Sequence, residues 1–211
     1  MKKLLLIVLF AGGVVHATHA QMSKGVENPK IGFAIQPMVF FLGGLQVDIQ
    51  PYLKPRHQLV IAPQLYYINN TKWLFNDVDL EQLRGVGLDL TYRIFPREEK
   101  PFYAGFGAGY NFYKPKYYTN DAAIPTQPNG AIEFGRALNE QNINRLSVNV
   151  IMGWQEETSY GFFLDFYGGL GFRYGVANKL YDDDISFNSN MWSMAYQGIY
   201  LVLGMKIGFE L

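Results

Sequence analysis

Cysteine is absent from the 211-residue chain, and this excludes several kinds of site. Without a thiol the protein has no disulfide, no thiolate metal centre and no cysteine nucleophile. Histidine is almost as scarce, because His16 and His19 lie in the first twenty residues and leave only His57. A lone histidine in the polar turn sequence KPRH has no companion for a zinc site or a catalytic set. We therefore expect no enzymatic activity, no metal and no cofactor.

Long apolar runs are also missing once the first twenty residues are passed. No later stretch reaches the roughly 18 apolar residues that a membrane helix needs, so a membrane-spanning chain would have to cross as strands. The early apolar run, residues 4–15, follows two lysines and precedes the small residues Thr18 and Ala20. This pattern predicts a signal peptide over residues 1–20, a short periplasmic segment over 21–30 and one domain over 31–211.

An excess of positive charge is absent as well. The chain has 18 basic and 18 acidic residues, and loss of the predicted signal peptide would remove two lysines. The remaining protein is slightly acidic, so we expect no nucleic-acid partner.

Glycine and aromatic residues, by contrast, are abundant, with 22 glycines and 16% aromatics. They meet in residues 101–113, PFYAGFGAGYNFY, where Gly105, Gly107 and Gly109 alternate with apolar side chains. A nucleotide-binding loop needs a different glycine spacing and a helix opening after it, which Lys114-Pro115 disfavours. The period of two instead predicts a β-strand with one apolar face and one face of small residues.

The same alternation recurs in eight stretches, which predicts an all-β protein of eight antiparallel strands. Short polar connections (KPRH, PREEK and EETS) alternate with long ones, the longest over roughly residues 114–145. This is typical of a transmembrane β-barrel with short periplasmic turns and longer extracellular loops. The eight predicted strands are residues 31–41, 45–53, 58–67, 85–94, 102–113, 146–155, 160–174 and 199–211.

A soluble barrel with an apolar cavity would show the same alternation with its faces reversed. Here one face carries charged residues among glycines, and the other is almost wholly apolar. Because a narrow lumen needs small residues and a water-facing exterior does not, we predict that the apolar face meets lipid. Charges of both signs in a narrow lumen are expected to pair and plug it, including a carboxylate partner for Arg173. The predicted lumen charges are Asp48, Asp89, Arg93, Asp165, Arg173, Lys206 and Glu210.

Three segments carry a resemblance to a known family. Residues 30–67 form two successive hairpin patterns, residues 161–175 read GFFLDFYGGLGFRYG, and residues 200–211 read YLVLGMKIGFEL. With the predicted signal peptide, they resemble the small eight-stranded outer-membrane barrels of the OmpX/OmpA-like type, particularly those of Bacteroidota. The resemblance covers the whole predicted domain and implies a fold and a location in the bacterial outer membrane, but no reaction.

Two functions remain open from the sequence. The first is a non-enzymatic barrel with a plugged lumen that has a structural or interaction role through its extracellular loops, alone or as a subunit of a larger outer-membrane complex. Its partners would be outer-membrane lipid and lipopolysaccharide. The second is a small pore or carrier that gives lateral passage to small apolar molecules. Pro37, Pro51 and Pro63 motivate it, because each removes a backbone donor on the outward face of consecutive predicted strands.

Overall fold

A computed structural model describes residues 30–41, 43–71, 79–96, 101–125, 132–158, 160–178, 191 and 193–211. The predicted signal peptide lies outside these residues. The described chain contains nine β-strands and one short helix. The strands are β1 (Ile31–Ile35), β2 (Gly44–Lys54), β3 (His57–Thr71), β4 (Asp79–Ile94), β5 (Phe102–Pro125), β6 (Ile132–Glu140), β7 (Ile143–Glu157), β8 (Phe162–Ala177) and β9 (Gly198–Glu210), and the helix is α1 (Pro37–Phe41).

Eight of the strands close into an antiparallel barrel, as the alternation predicts. The hydrogen-bonded order is β4-β3-β2-β1-β9-β8-β7-β5, and pairing of β4 with β5 closes the ring. The closure pairs most of the strand edges, and paired edges are not available for association with other chains. Residues Ile31 and Leu211 pair at one end of the barrel, together with the β2–β3 turn at Pro55-Arg56. We call this the turn end.

The ninth strand corrects the prediction of a loop over residues 114–145. β5 continues past the barrel to Pro125, and β6 pairs only with this extension, from Lys116–Glu140 to Pro125–Ile132. The resulting β5–β6 hairpin stands beyond the barrel at the end opposite the turn end, which we call the hairpin end. The alternation is weaker here because a hairpin outside the barrel has no apolar face to maintain.

The predicted first strand is also shorter than expected. β1 ends at Ile35, and residues 37–41 form α1 instead of continuing the ladder. Proline cannot donate to a sheet, and it fits the first turn of a helix, so Pro37 both ends the strand and begins the helix. Gly43, with φ of 69°, then turns the chain into β2. Pro37 is therefore not a strand proline, whereas Pro51 and Pro63 do lie in β2 and β3.

The two faces of the barrel wall have opposite character. Outward side chains on β7 and β8, such as Val150, Met152 and Leu170, are about 60% exposed although they are apolar. Inward side chains at alternate positions, such as Ile151, Gln155 and Asp165, are buried. The protein thus buries polar groups inside and exposes apolar groups outside, the reverse of an ordinary soluble domain. No described helix has the length or apolar character to cross a bilayer.

Candidate functional site

The lumen is the site in which the chain concentrates its buried charges. At its turn-end half, the Arg93 guanidinium on β4 donates to the Asp165 carboxylate on β8 over 2.7 Å, and both side chains are 0% exposed. Tyr103 donates its hydroxyl to the other carboxylate oxygen at 2.7 Å, and its ring lies 4.3 Å from the Arg93 guanidinium carbon. Arg93 also reaches Gln58 and Gln155 at 3.3 and 3.4 Å. These contacts bridge five strands across the barrel interior.

A second buried ion pair lies beside the first. Lys206 on β9 donates to Asp48 on β2, and Gln46 donates to the other Asp48 oxygen at 2.7 Å. Asp165 and Lys206 are Cα partners in the β8–β9 ladder, so the two pairs lie at similar depth. Two cations and two carboxylates thus fill one level of the lumen, and each carboxylate has more than one donor. These additional hydrogen bonds offset the cost of removing the charges from water, which a buried ion pair requires.

Glu210 closes the turn end. Its side chain is only 3% exposed, and it accepts hydrogen bonds from Tyr52 and Gln155 at 3.0 Å each. Lys30, at the rim, lies 3.6 Å from it. Phe163 is fully buried nearby, and its ring occupies the space that a side chain at Gly32 or Gly208 would need. This end of the barrel is therefore filled by side chains.

Apolar and aromatic side chains fill the hairpin end. Met194 and Ala195, from the segment before β9, pack into a buried cluster formed by residues of four strands, β3, β4, β5 and β7. The strand residues of the cluster are Ile68, Leu80, Leu83, Tyr113, Tyr117 and Ile143. Both ends of the lumen are thus occupied by described side chains.

Asp89 explains one of the alternating glycines. Gln64 donates to one Asp89 oxygen at 2.5 Å, and the other oxygen is buried without a hydrogen-bond partner. A Cβ at Gly109 would overlap the Asp89 carboxylate and lie 2.8 Å from Ser147 Oγ. The glycine run seen in the sequence therefore makes room for lumen side chains.

Arg173 departs from the expected pairing with a carboxylate. It donates to the backbone oxygen of Met191 at 3.0 Å, and its guanidinium carbon lies 3.7 Å from the centre of the Tyr200 ring. Among the described residues, no Asp or Glu forms an ion pair with it. Arg173 points into the lumen like the other six predicted charges, but it is held by an aromatic ring and a carbonyl.

Arg145 is a lumen charge outside the predicted set. It lies on β7 and donates to Asn111 at 2.9 Å and to the Tyr113 hydroxyl. The predicted strand begins at Leu146, one residue later, which places Arg145 in the preceding predicted loop. Its odd number, shared with the inward Ser147 and Asn149, was the available signal.

His57 has a structural contact. Its Nδ1 lies 2.7 Å from the Tyr92 hydroxyl, and the two rings are 5.7 Å apart. No group of three or more metal-ligating side chains occurs in the described part of the chain. The histidine links β3 to β4 near the turn end.

Comparisons with known proteins give similarity in fold only. No family model and no curated protein matches the sequence. The chain superposes on CarO of Acinetobacter baumannii with a TM-score of 0.42 and 12% identity, over 86% of this chain and 96% of that one. For CarO2 of the same organism the TM-score is 0.41 and the identity 13%, over 87% and 97% of the two chains. Neither similarity is close enough to assign a family or a function.

Proposed function

We propose that this protein is a non-enzymatic barrel of the bacterial outer membrane, of the OmpX/OmpA-like type found in Bacteroidota. Its lumen is closed to ions, and its role is structural or interactive, exerted through the hairpin end, with lipopolysaccharide or a larger outer-membrane complex as partner. The observation that carries the closed lumen is the Arg93–Asp165 pair at 0% exposure. A water-filled pore would leave such charges in contact with solvent.

The exposed outer face supports the membrane location. Aliphatic and aromatic side chains cover the middle of the barrel wall, and Trp154, Tyr92 and Tyr174 lie toward its two ends. Transmembrane barrels carry an apolar band about 25 Å tall with aromatic residues at both interfaces. In water, an apolar surface of this extent would drive aggregation.

A closed lumen predicts the absence of conductance. The purified barrel in planar bilayers should give no stable channels, because the ion pairs and both end clusters occupy the path. A general porin reconstituted in the same lipid is the positive control. Persistent openings on the nanosiemens scale would contradict the closed lumen.

The β5–β6 hairpin supports the interaction role. It continues β5 to Pro125, past the last residue that pairs with β4, and it carries the exposed side chain of Leu138 opposite Tyr118. Lys114 and Lys116 approach Glu140 at 2.5 and 3.4 Å at its base. The hydrogen bond from Lys114 lowers the pKa of Glu140. This stabilisation is present above the ordinary Glu pKa of about 4.3 and is lost as pH falls through the lower folded value.

The hairpin should be reachable from outside the cell. Leu138→Cys should react in intact cells with a membrane-impermeant photoreactive maleimide, and illumination should then give a discrete covalent adduct with a partner. Arg56→Cys, in the exposed turn at the opposite end, is the matched control and should react only after the outer membrane is opened. Labelling with the reverse preference would overturn the orientation, and labelling without any adduct would remove the interaction role of this hairpin.

A further inference from the structure

The barrel wall is interrupted between β2 and β9. β1 pairs with β9 only from Gly32–Glu210 to Ile35–Ile207, and it ends where Pro37 begins α1. β9 continues to Gly198, and among the described strands this upper part, Gly198 to Lys206, pairs with β8 alone. At about 3.3 Å per residue, roughly 30 Å of strand has no partner on its other edge.

Helix α1 lies over this gap without sealing it as a strand would. Its Val39 side chain is buried and faces Gly44 on β2, whereas Met38, Phe40 and Phe41 are 45–68% exposed. The backbone bond that ties the start of this segment to β2, from Gln36 to Gln46, is long at 3.4 Å. The gap is thus covered by a single helical turn with an apolar exposed surface.

A cavity of about 330 Å³ lies at this part of the wall. On its inner side it is lined by the polar lumen residues Asp89, Arg145 and Arg173. On its outer side it is lined by Leu201 and Leu203, which belong to the outward face of β9, and by α1. The same cavity therefore touches both the charged interior and the apolar exterior of the barrel.

Among the described residues that line the inner part of the cavity, the positive charges exceed the available negative charges by one. Lys206 is neutralised by Asp48, and Asp89 can balance only one of the two arginines. Neither Arg145 nor Arg173 has a described carboxylate in an ion pair, and the Nε atom of each is buried without a hydrogen-bond acceptor. Ser147 and Arg173 are Cα partners, so Arg145 lies two residues along the neighbouring strand from that pair. Two guanidinium groups with spare donors thus face one space.

We propose that this cavity binds a single-chain amphiphile with one carboxylate headgroup, such as a long-chain fatty acid. Its headgroup lies between Arg145 and Arg173, and its alkyl chain leaves through the gap beneath α1 along Leu201 and Leu203. The planar guanidinium fork matches a carboxylate, and one negative charge balances the cavity. The volume is at the small end of the range of about 300–1,000 Å³ for ligand pockets, which favours one chain over two. The exit of the chain into lipid rests on the membrane location proposed above.

Binding to the purified full chain in a non-ionic detergent tests this site directly. Hexadecanoate should bind at least tenfold more tightly than hexadecanol, which has the same chain and no charge, by native mass spectrometry or calorimetry. Hexadecyl phosphate should bind more weakly than hexadecanoate. Equal binding of the acid and the alcohol would overturn the proposal, and preferential binding of the phosphate would overturn the carboxylate assignment. The comparison needs no variant.

Matched variants separate the two parts of the site. The double variant Arg145→Gln/Arg173→Gln should bind hexadecanoate no better than hexadecanol, and Arg84→Gln, on the outer face, should keep the full difference. Leu203→Trp should fill the exit and weaken hexadecanoate binding severalfold, whereas Leu170→Trp, on the outer face of β8, should not. Unchanged binding in the double variant would refute the headgroup position. If the barrel does not bind the ligand but still shifts on a gel after heating and gives no conductance, the ligand proposal fails. The proposed function is then unaffected.

Discussion

Arg93→Ala should lower the free energy of unfolding of the barrel by about 3–5 kcal/mol, the cost of leaving one partner of a buried ion pair uncompensated. Asp165 would then retain Tyr103 as its hydrogen-bond donor but lose its counter-charge in a fully buried position. Tyr103 would also lose the cation that lies over its ring. Urea unfolding in lipid vesicles, followed by the heat-dependent shift on a gel, measures the change.

Two controls separate the loss of a buried ion pair from the loss of an arginine side chain in general. Arg84→Ala removes an exposed arginine that lies 5.9 Å from the Tyr67 ring, and it should change stability by less than about 1 kcal/mol. The double variant Arg93→Met/Asp165→Leu should recover much of the loss, because apolar replacement of a whole buried pair is often neutral. Equal stability of Arg93→Ala and Arg84→Ala would show that Arg93 is not part of a buried network.

The sequence alone predicts which residues face the lumen and which face outward, because alternation along a strand is a local property. Asp165 and Arg173 are eight residues apart on β8, so parity alone places them on one face, and the structure has both in the lumen. On β7 the inward positions are also odd, and extending the predicted strand by one residue before Leu146 adds Arg145 to the inward face. It was missed because the polar residues before β7 resemble a loop until their partner strand is known.

The partners of these charges could not be predicted because they depend on shear around the closed ring. Asp165 has Lys206 as its ladder neighbour, yet its carboxylate bonds with Arg93 from the far side of the lumen. Arg93 and Lys206 both belong to the predicted set of lumen charges, and only the three-dimensional stagger of the strands selects between them as the partner of Asp165. The contact between Arg173 and the Tyr200 ring could not be predicted for the same reason, because neither the β8 nor the β9 sequence indicates it.

The gap in the wall has a signal in the sequence, although only one of the three prolines marks it. Three prolines on consecutive predicted strands suggested a weak seam, and two of them, Pro51 and Pro63, remain within the sheet. Pro37 alone ends its strand, because it is followed by residues that can continue a helical turn. Helix and strand patterns over five residues cannot be distinguished by periodicity.

Leu170→Arg should lower the stability of the folded barrel in lipid by about 2–4 kcal/mol, the cost of an arginine on the lipid face near the bilayer midplane. Leu170 lies at the middle of β8, is 58% exposed and pairs with Leu201 and Val150, whose side chains also point outward. The opposite face supplies the control: Asn149, paired with Gly171 at the same depth, points into the lumen. A fluorophore attached through Leu170→Cys should be quenched by lipids brominated near the chain centre, and one attached through Asn149→Cys should be spared. Because a shift of one residue exchanges the two faces of every strand, the reverse pattern would displace each lumen charge named here onto the lipid face.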